Sequence, residues 1–280
     1  MTSYDRRVNH FSVCSMFRDH VRDLAEWIEF HRLVGAEHFF LYNNASSEDW
    51  EGVLGRYIDS GLATVHDWAV FPGLTKAFDD CIERHRLDST WIAFIDVDEF
   101  LFAPGDKLVS DVLRDFEDAP GVGVNRVPFG TSGHLSRPEG LVIENYLRCA
   151  PLAWRNGVIK SVVRPPAAER CEGAHHFTYR DGRLAVDELH RPLDPAEVVG
   201  PRRSSGAAFT QTFSAERLRV NHYITKSLEE YEAKMAQPRP DTGGNRRPET
   251  LDWQLQRLDA EEDHTLLSYA PRVRAALHAS

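Results

Sequence analysis

The chain has 280 residues, 42% of them hydrophobic, and a formal net charge of -10. That length sustains a sizeable core in one large domain, or in a domain with an appended lobe. The acidic balance argues against a general nucleic-acid binder, which carries a basic face, and no window approaches the ~18 uninterrupted apolar residues of a membrane span.

HFSVCSMF (10–17) reads as a short buried strand. Val21, Leu24, Ile28, His31 and Val34 then recur at helical spacing, and Gly35 follows as a stop. HFFLYN (38–43) is a second strand. Ser46 and Ser47 precede Glu48, Asp49 and Glu51, as at a capped, acidic helix start. Leu54, Tyr57 and Ile58 give that helix its apolar face, and Gly61 ends it. LATVHDW (62–68) is strand three, 75–87 is helical, and 91–95 is strand four. This alternation predicts an α/β fold, a mostly parallel sheet with helices on both faces, whose ligands bind at the carboxyl ends of the strands.

Further on, 109–116 reads as a helix and GVGVNRVPFG (121–130) as a strand entering a Gly-rich loop. The stretch 165–213 is polar and Pro-rich, with short strands and a mobile loop expected around PRRSSGAA (201–208). Helices are predicted over 227–235 and 251–258, joined by a flexible PRPDTGGNRRP (238–248), with a terminal helix from Pro271. Cys14, Cys81, Cys149 and Cys171 show no CxxC spacing and read as small core residues of a reducing cytosol. The first 17 residues lack a signal peptide's apolar core and cleavage site, so a soluble, cytoplasmic protein is expected.

The stretch WIAFIDVDEFLF (91–102) delivers Asp96, Asp98 and Glu99 to the end of the fourth strand. Strand alternation would point Asp96 and Asp98 the same way, so that both converge on one cation. Hard ions such as Mg²⁺ and Mn²⁺ take oxygen ligands and leave positions open for phosphates. Such an ion would reconcile an acidic chain with an anionic substrate. An acidic turn after a core strand is the plainer alternative. His222, in RVNHYITKS, is a candidate third ligand or a structural hydrogen-bonder, and Lys226 follows it as a candidate phosphate contact. FGTSGH (129–134) is a small-residue loop whose His134 could accept a proton. Lys160, within VIKSVVRP, faces a phosphate or merely snorkels. The adjacent His175 and His176 point apart in an extended segment and are not expected to share a metal.

Six segments in order resemble a glycosyltransferase of the GT-A type, and more closely glycosyltransferase family 92 and its bacterial relatives. They are LAEWIEFHRLVGAEHFFLYNNAS, KAFDDCIERH, WIAFIDVDEFLF, VPFGTSGH, IKSVVRP and NHYITKSLEEYEAK, and they cover most of residues 11–235. The resemblance implies a GT-A domain over 1–235, with a nucleotide-sugar half near 8–105 and an acceptor half near 106–235. A C-terminal helical extension would follow over 236–280. It implies a DxD motif at Asp96 and Asp98, with His222 as a further contact and Mn²⁺ or Mg²⁺ on the donor diphosphate. Ser15, Arg18, Asn43, Asn44, Lys76, Lys160 and Lys226 would then bind the donor. His134 and Glu144 are the candidates for the catalytic base. The implied activity is transfer of a sugar, with UDP-galactose suggested and inversion expected, to a glycan, lipid-linked or small-molecule acceptor in a bacterial cytosol. One departure stands out: Arg18, Asp19 and His20 replace the Lys-Asn-Glu of relatives. Two other readings remain. DVDEF superficially resembles the motif of haloacid-dehalogenase-like phosphatases, with Asp96 as nucleophile, although Phe100 stands where Thr or Val is expected. A nucleotide-sugar-binding protein without activity is the other.

Overall fold

The structure, a computed structural model, describes residues 8–152, 157–199, 204–246 and 256–279. Period-2 alternation in the first strands decides its architecture. In β1 (Asn9–Phe17), Phe11, Val13 and Phe17 enter one apolar cluster and Cys14 enters a second. The helix α1 (Val21–Leu33) covers the first face with Leu24, Trp27, Ile28 and Phe30. β2 (His38–Asn43) splits the same way, Phe39 and Leu41 against Phe40 and Tyr42. α2 (Trp50–Asp59) adds Leu54 and Tyr57 to the first face. After β3 (Ala63–Asp67), α3 (Leu74–Arg84) covers the second face with Leu74, Ala77, Phe78, Cys81 and Ile82. β4 (Ser89–Phe94) sends Trp91 and Ala93 to one face, and Ile92 and Phe94 to the other. The α/β fold with helices on both faces is thus the one that the sequence predicts.

The remaining strands extend this sheet or form three separate two-stranded pairs. They are β5 (Glu99–Phe102), β6 (Gly121–Pro128), β7 (Arg148–Cys149), β8 (Ile159–Val163), β9 (Ala168–Cys171), β10 (Phe177–Tyr179), β11 (Val186–Asp187), β12 (Val198–Val199), β13 (Ser204–Ser205), β14 (Arg219–His222) and β15 (Glu261–Glu262). Interspersed are the helices α4 (Val109–Leu113), α5 (Val142–Asn145), α6 (Leu228–Ala236) and α7 (Ala270–His278). The main sheet runs β3-β2-β1-β4-β8-β6-β14-β5, with β11 paired to β6. The first four strands are mutually parallel, β8 is antiparallel to both neighbours, and β5 is antiparallel to β14. β4 and β5 are separated in sequence by four residues, yet β8, β6 and β14 lie between them in the sheet order. So short a link requires the sheet to curl.

One local expectation is corrected. The second helix begins at Trp50 with Asp49 as its N-cap, accepting from Gly52 N at 3.0 Å, not at the serines. The reason lies across the sheet. Asp19 Oδ1 takes the N–H groups of Ser47 and Glu48 at 2.6 and 3.2 Å, which holds those residues in a turn. The helix predicted over 251–258 falls largely outside the described residues, as does part of the predicted mobile loop over 201–208. No described helix is long and apolar enough to cross a membrane. All four cysteines are buried and free, as core residues should be.

Candidate active site

β4 ends at Phe94 and β5 starts at Glu99, so Asp96 and Asp98 lie on a turn and not on a strand. This corrects the basis on which the sequence brings them together: turn geometry replaces the pleat. The turn is closed by Glu99 N donating to Asp96 O at 3.0 Å, and anchored by Ile95 N to Cys14 O and Tyr223 N to Asp98 O. Glu99 is fully buried beneath it, and its Oε2 accepts from Asp96 N at 2.9 Å.

The three strands lying between β4 and β5 each contribute one side chain. Lys160 of β8, 1% exposed, places Nζ 2.8 Å from Asp96 Oδ2 and 3.0 Å from Glu99 Oε2. Arg126 of β6 donates to Glu99 Oε1 at 3.1 Å and to His222 Nδ1 at 3.0 Å. His222 of β14 sets Nε2 3.6 Å from Asp98 Oδ2. From α6, Lys234 Nζ reaches Asp98 Oδ2 at 2.5 Å and Ile224 O at 3.1 Å.

These pairings decide the charge states. Burial acts to raise the Asp98 pKa, but Lys234 and then His222 hold it well below the ordinary carboxylate range. Glu99 is lowered in the same way, against burial, by Lys160, His222 and Arg126. Burial acts to strip the proton from Lys160, yet Asp96 and Glu99 raise its pKa overall. Asp96 is the most open of the three carboxylates, with 36% of its side chain exposed. Among the described residues, Oδ1 of Asp96 and Oδ1 of Asp98 accept no hydrogen bond.

A second network borders the first. Lys226, buried and in the left-handed region at φ 52°, pairs with Asp23. Arg137 joins Asp23 to Glu230, the latter at 2.9 Å. Despite burial, Lys226 and Arg137 lower Asp23 to about 2. His20 is exposed within range of the charges on Lys226, Asp98, Asp23 and Lys234.

At the carboxyl ends of β1, β2 and β3 lies a third feature. Arg18 Nε donates to Asn44 O at 2.7 Å, and its guanidinium lies 5.8 Å from the centroid of the exposed Phe71 ring. Asn44 Nδ2 binds the carbonyls of Trp68 and Val70 at 2.6 and 2.9 Å. Asn43 Nδ2 binds Asp67 Oδ1 at 3.3 Å, and its Oδ1 accepts from Ser46 N at 3.0 Å. Both asparagines therefore shape the rim by holding its turns.

The other predicted site residues stand elsewhere. Ser15 is fully buried inside β1, and Lys76 is exposed on the first turn of α3. His134 donates from Nε2 to Asn145 O at 3.1 Å and packs edge-on against Tyr146. Glu144 is occupied by Arg274, whose Nε donates to Oε1 at 2.8 Å and whose second nitrogen pairs with Oε2. Neither His134 nor Glu144 shares a described contact with Asp96 or Asp98.

The chain matches the family profile described as Glycosyltransferase family 92 over residues 10–236. It belongs to glycosyltransferase family 92. A family 92 protein of Oryza sativa subsp. japonica is 33% identical over 188 residues, covering 65% of this chain and 32% of that protein. A family 92 protein of Ricinus communis is 25% identical over 90% of this chain and 45% of its own length. The galactan beta-1,4-galactosyltransferase GALS2 of Arabidopsis thaliana is 28% identical over 39% of this chain and 23% of its own length. These matches therefore span less than half of each relative. The three are plant proteins, not the bacterial enzymes that the sequence reading expects. A crystal structure of S. aureus TarS 1-349 covers 56% of this chain and 47% of that one, with 10% identity and a TM-score of 0.33, too slight a likeness to bear on the fold.

Of the residues singled out in this family 92 chain, Asp96, Asp98, Lys160 and His222 are brought together, with Lys226 in the adjoining network. Sequence reasoning missed Arg126, Lys234, Asp23 and Arg137. Lys234 was within reach, since it lies in the same quoted motif as Lys226, eight residues and about two helical turns further on. Arg126 and Arg137 carry no local signal, because only tertiary pairing gives them a partner. His175 joins them: its Nδ1 donates to Ile159 O at 3.1 Å, and burial, then Arg126 and Lys160, lower its pKa.

Proposed function

We propose that this chain is a metal-dependent glycosyltransferase that moves a sugar from a nucleoside-diphosphate donor to an acceptor hydroxyl. The observation that carries this reading is the turn presenting Asp96 and Asp98, ringed by Lys160, Arg126, His222 and Lys234, in a family 92 chain. The activity in the name of the Arabidopsis relative, a galactan galactosyltransferase, favours UDP-galactose as donor and a glycan as acceptor.

The donor set fits a hard divalent ion. Asp96 and Asp98 each keep one carboxylate oxygen without a bond among the described residues, and both are oxygen ligands of the kind that Mn²⁺ and Mg²⁺ take. No three His, Cys, Asp or Glu side chains form a metal-holding group among the described residues, so the ion would rest on the two carboxylates and on oxygens of the donor itself. His222 fits less directly. Its Nδ1 accepts from Arg126, so its proton sits on Nε2 toward Asp98, and in this tautomer it supports Asp98 instead of ligating. Bound there, the ion would supply Lewis-acid stabilisation of the charge that develops on the leaving diphosphate.

The chain's own groups do the rest. Lys234 keeps Asp98 ionised and Lys160 keeps Glu99 so, while burial outweighs Lys160 and raises Asp96; with Lys226 the two lysines bring positive charge to a site that must accept a diphosphate. Arg18 and Phe71 offer a guanidinium and an exposed ring at the nucleoside end of the sheet. The acceptor oxygen forms a bond to the anomeric carbon with inversion. The bond from that carbon to the diphosphate oxygen breaks, and its electron pair leaves with the diphosphate. The hydroxyl proton passes to a base. Of the two candidates, neutral His134 would present a free Nδ1, since Nε2 donates to Asn145 O, whereas Glu144 is held by Arg274. The phosphatase reading is not favoured, since the family match runs through the whole region containing Asp96.

The test is calorimetric titration of UDP and UDP-galactose with and without Mn²⁺, followed by an assay for released UDP and transferred sugar. Nucleotide binding should require the metal, and Asp98→Asn should lose at least ~100-fold in turnover while keeping the wild-type circular dichroism spectrum. Unchanged turnover by Asp98→Asn in the presence of Mn²⁺ would refute the assignment.

A further inference from the structure

On the outer edge of the sheet, His66 of β3 and His85, the residue capping α3, place their Nε2 atoms 3.0 Å apart. His85 Nδ1 lies 2.8 Å from Asp88 Oδ2. An ionised carboxylate only accepts, so Nδ1 carries the His85 proton and Nε2 presents a bare lone pair. The line between the two rings then holds a single proton, donated by His66. Both ring planes are fixed by packing: His85 stacks on Phe40 at 3.9 Å, and His66 tilts against Tyr42 at 4.9 Å. His38, nearby, pairs with Thr64 Oγ1 at 2.9 Å and is not part of the convergence.

We propose that His66 and His85 form a site for a borderline divalent transition ion, of which Zn²⁺ is the type case, clipping the edge strand β3 to the end of α3. Imidazole nitrogen is the donor that such ions prefer. Two nitrogens, each about 2.0–2.1 Å from a tetrahedral ion, stand roughly 3.3 Å apart, so the pair needs to open by only a few tenths of an ångström. Asp88 supplies the outer carboxylate that fixes the tautomer of a ligating histidine and raises its basicity. On binding, each Nε2 lone pair forms a bond to the ion and displaces one of its waters. The His66 proton moves from Nε2 to Nδ1 through solvent, so a neutral pair releases no net proton. No third His, Cys, Asp or Glu completes a metal-holding group among the described residues, so water fills the other positions. The site is built from borderline imidazole nitrogen donors and is chemically unlike the oxygen set of Asp96 and Asp98. β3 runs directly into Trp68 and Val70, whose carbonyls hold Asn44, and on to Phe71 beside Arg18. An ion at the clip would therefore steady the rim of the sheet's carboxyl end.

Zn²⁺ alone serves as the probe, titrated into the full chain by calorimetry in excess Mg²⁺ to satisfy the oxygen site. One equivalent should bind to the wild type and to Asp98→Asn with the same affinity. His66→Ala and His85→Ala should each weaken it at least ~10-fold, and Asp88→Asn should weaken it ~10-fold or more. Zn²⁺ should raise the melting temperature of the wild type and not of His66→Ala. X-ray absorption of the zinc-loaded wild type, which depends on no variant folding, should show two imidazoles and light-atom neighbours. Sulfur coordination, equal zinc affinity in His66→Ala, or no binding by the wild type below millimolar zinc would overturn the proposal.

Discussion

His31 shows how one buried side chain sets a pH dependence. Its Nδ1–H donates to Trp27 O at 2.7 Å, and its Nε2 accepts from Leu101 N at 3.1 Å, seventy residues away. Trp27, Phe30 and Phe100 enclose the ring, which is fully buried. Only the neutral form satisfies both bonds, and burial pushes its pKa down to about 3, against which the bond to Trp27 acts weakly. In the unfolded chain the ring takes a proton near the ordinary value of about 6.5, but in the folded chain not until about 3. The contribution is therefore complete above pH 6.5 and is lost as pH falls toward 3, a span worth on the order of 5 kcal/mol. Between pH 7 and 4.5, urea unfolding should show a loss steeper by about 2–3 kcal/mol in the wild type than in His31→Gln. Equal slopes would refute this account. The helical spacing of the sequence already assigned His31 to the apolar face of α1, but its distant partner at Leu101 could not be read there. Lys234 is the converse case, a partly exposed side chain whose value lies in the site. Lys234→Ala should lower glycosyl transfer ~10- to 100-fold with little change in melting temperature. A large melting shift with full activity would assign it to the fold instead.

At the scale of elements, the legible parts were those governed by local periodicity, and the illegible parts were those governed by a distant partner. The alternation in β1, β2 and β4 was visible and correctly implied two covered faces. The N-terminus of α2 was misplaced because Asp19, in another loop, captures the backbone of Ser47 and Glu48. The carboxylate pair was found for a reason the structure replaces, since Asp96 and Asp98 stand on a turn. α6 is the element on which the site depends most. Ser227 Oγ accepts from Glu230 N at 3.3 Å, while Glu230 Oε2 accepts from Ser227 N at 3.1 Å, a capping box. That cap follows Lys226 in its left-handed conformation and precedes Lys234 on the same helix. Ser227→Ala should cost about 1 kcal/mol of stability in a urea titration. Because the cap positions both lysines, it should also raise the KM for the nucleotide sugar. An unchanged KM beside the expected loss of stability would uncouple the cap from the site.

At the scale of the molecule, the question is whether the segment after residue 236, beyond the family match, is an appendage or part of the fold. Its described contacts argue for the second. Pro240 O accepts from Gly73 N and Leu74 N at the start of α3, at 3.0 and 3.2 Å. Asp259 takes Thr131 Oγ1 at 2.9 Å and Ser132 N at 2.8 Å, and so fixes the Gly-rich loop that carries His134. Tyr269, Ala270 and Val273 enter the first core cluster, and Tyr269 meets Phe30 of α1 edge-on at 5.2 Å. Arg274 of α7 ties down Glu144 of α5. The segment therefore returns to four separate places: the turn beside the nucleoside rim, the loop near the proposed acceptor, α1, and α5. Val273 is fully buried, so Val273→Asp places an unpaired carboxylate in that core and should cost at least ~3 kcal/mol. If the extension closes the fold, this variant and a chain ending at residue 236 should both unfold at lower denaturant in a single transition, losing nucleotide binding with the fold. A truncated chain with the wild-type midpoint would show instead that the first 236 residues are self-sufficient and that the returning contacts only decorate them.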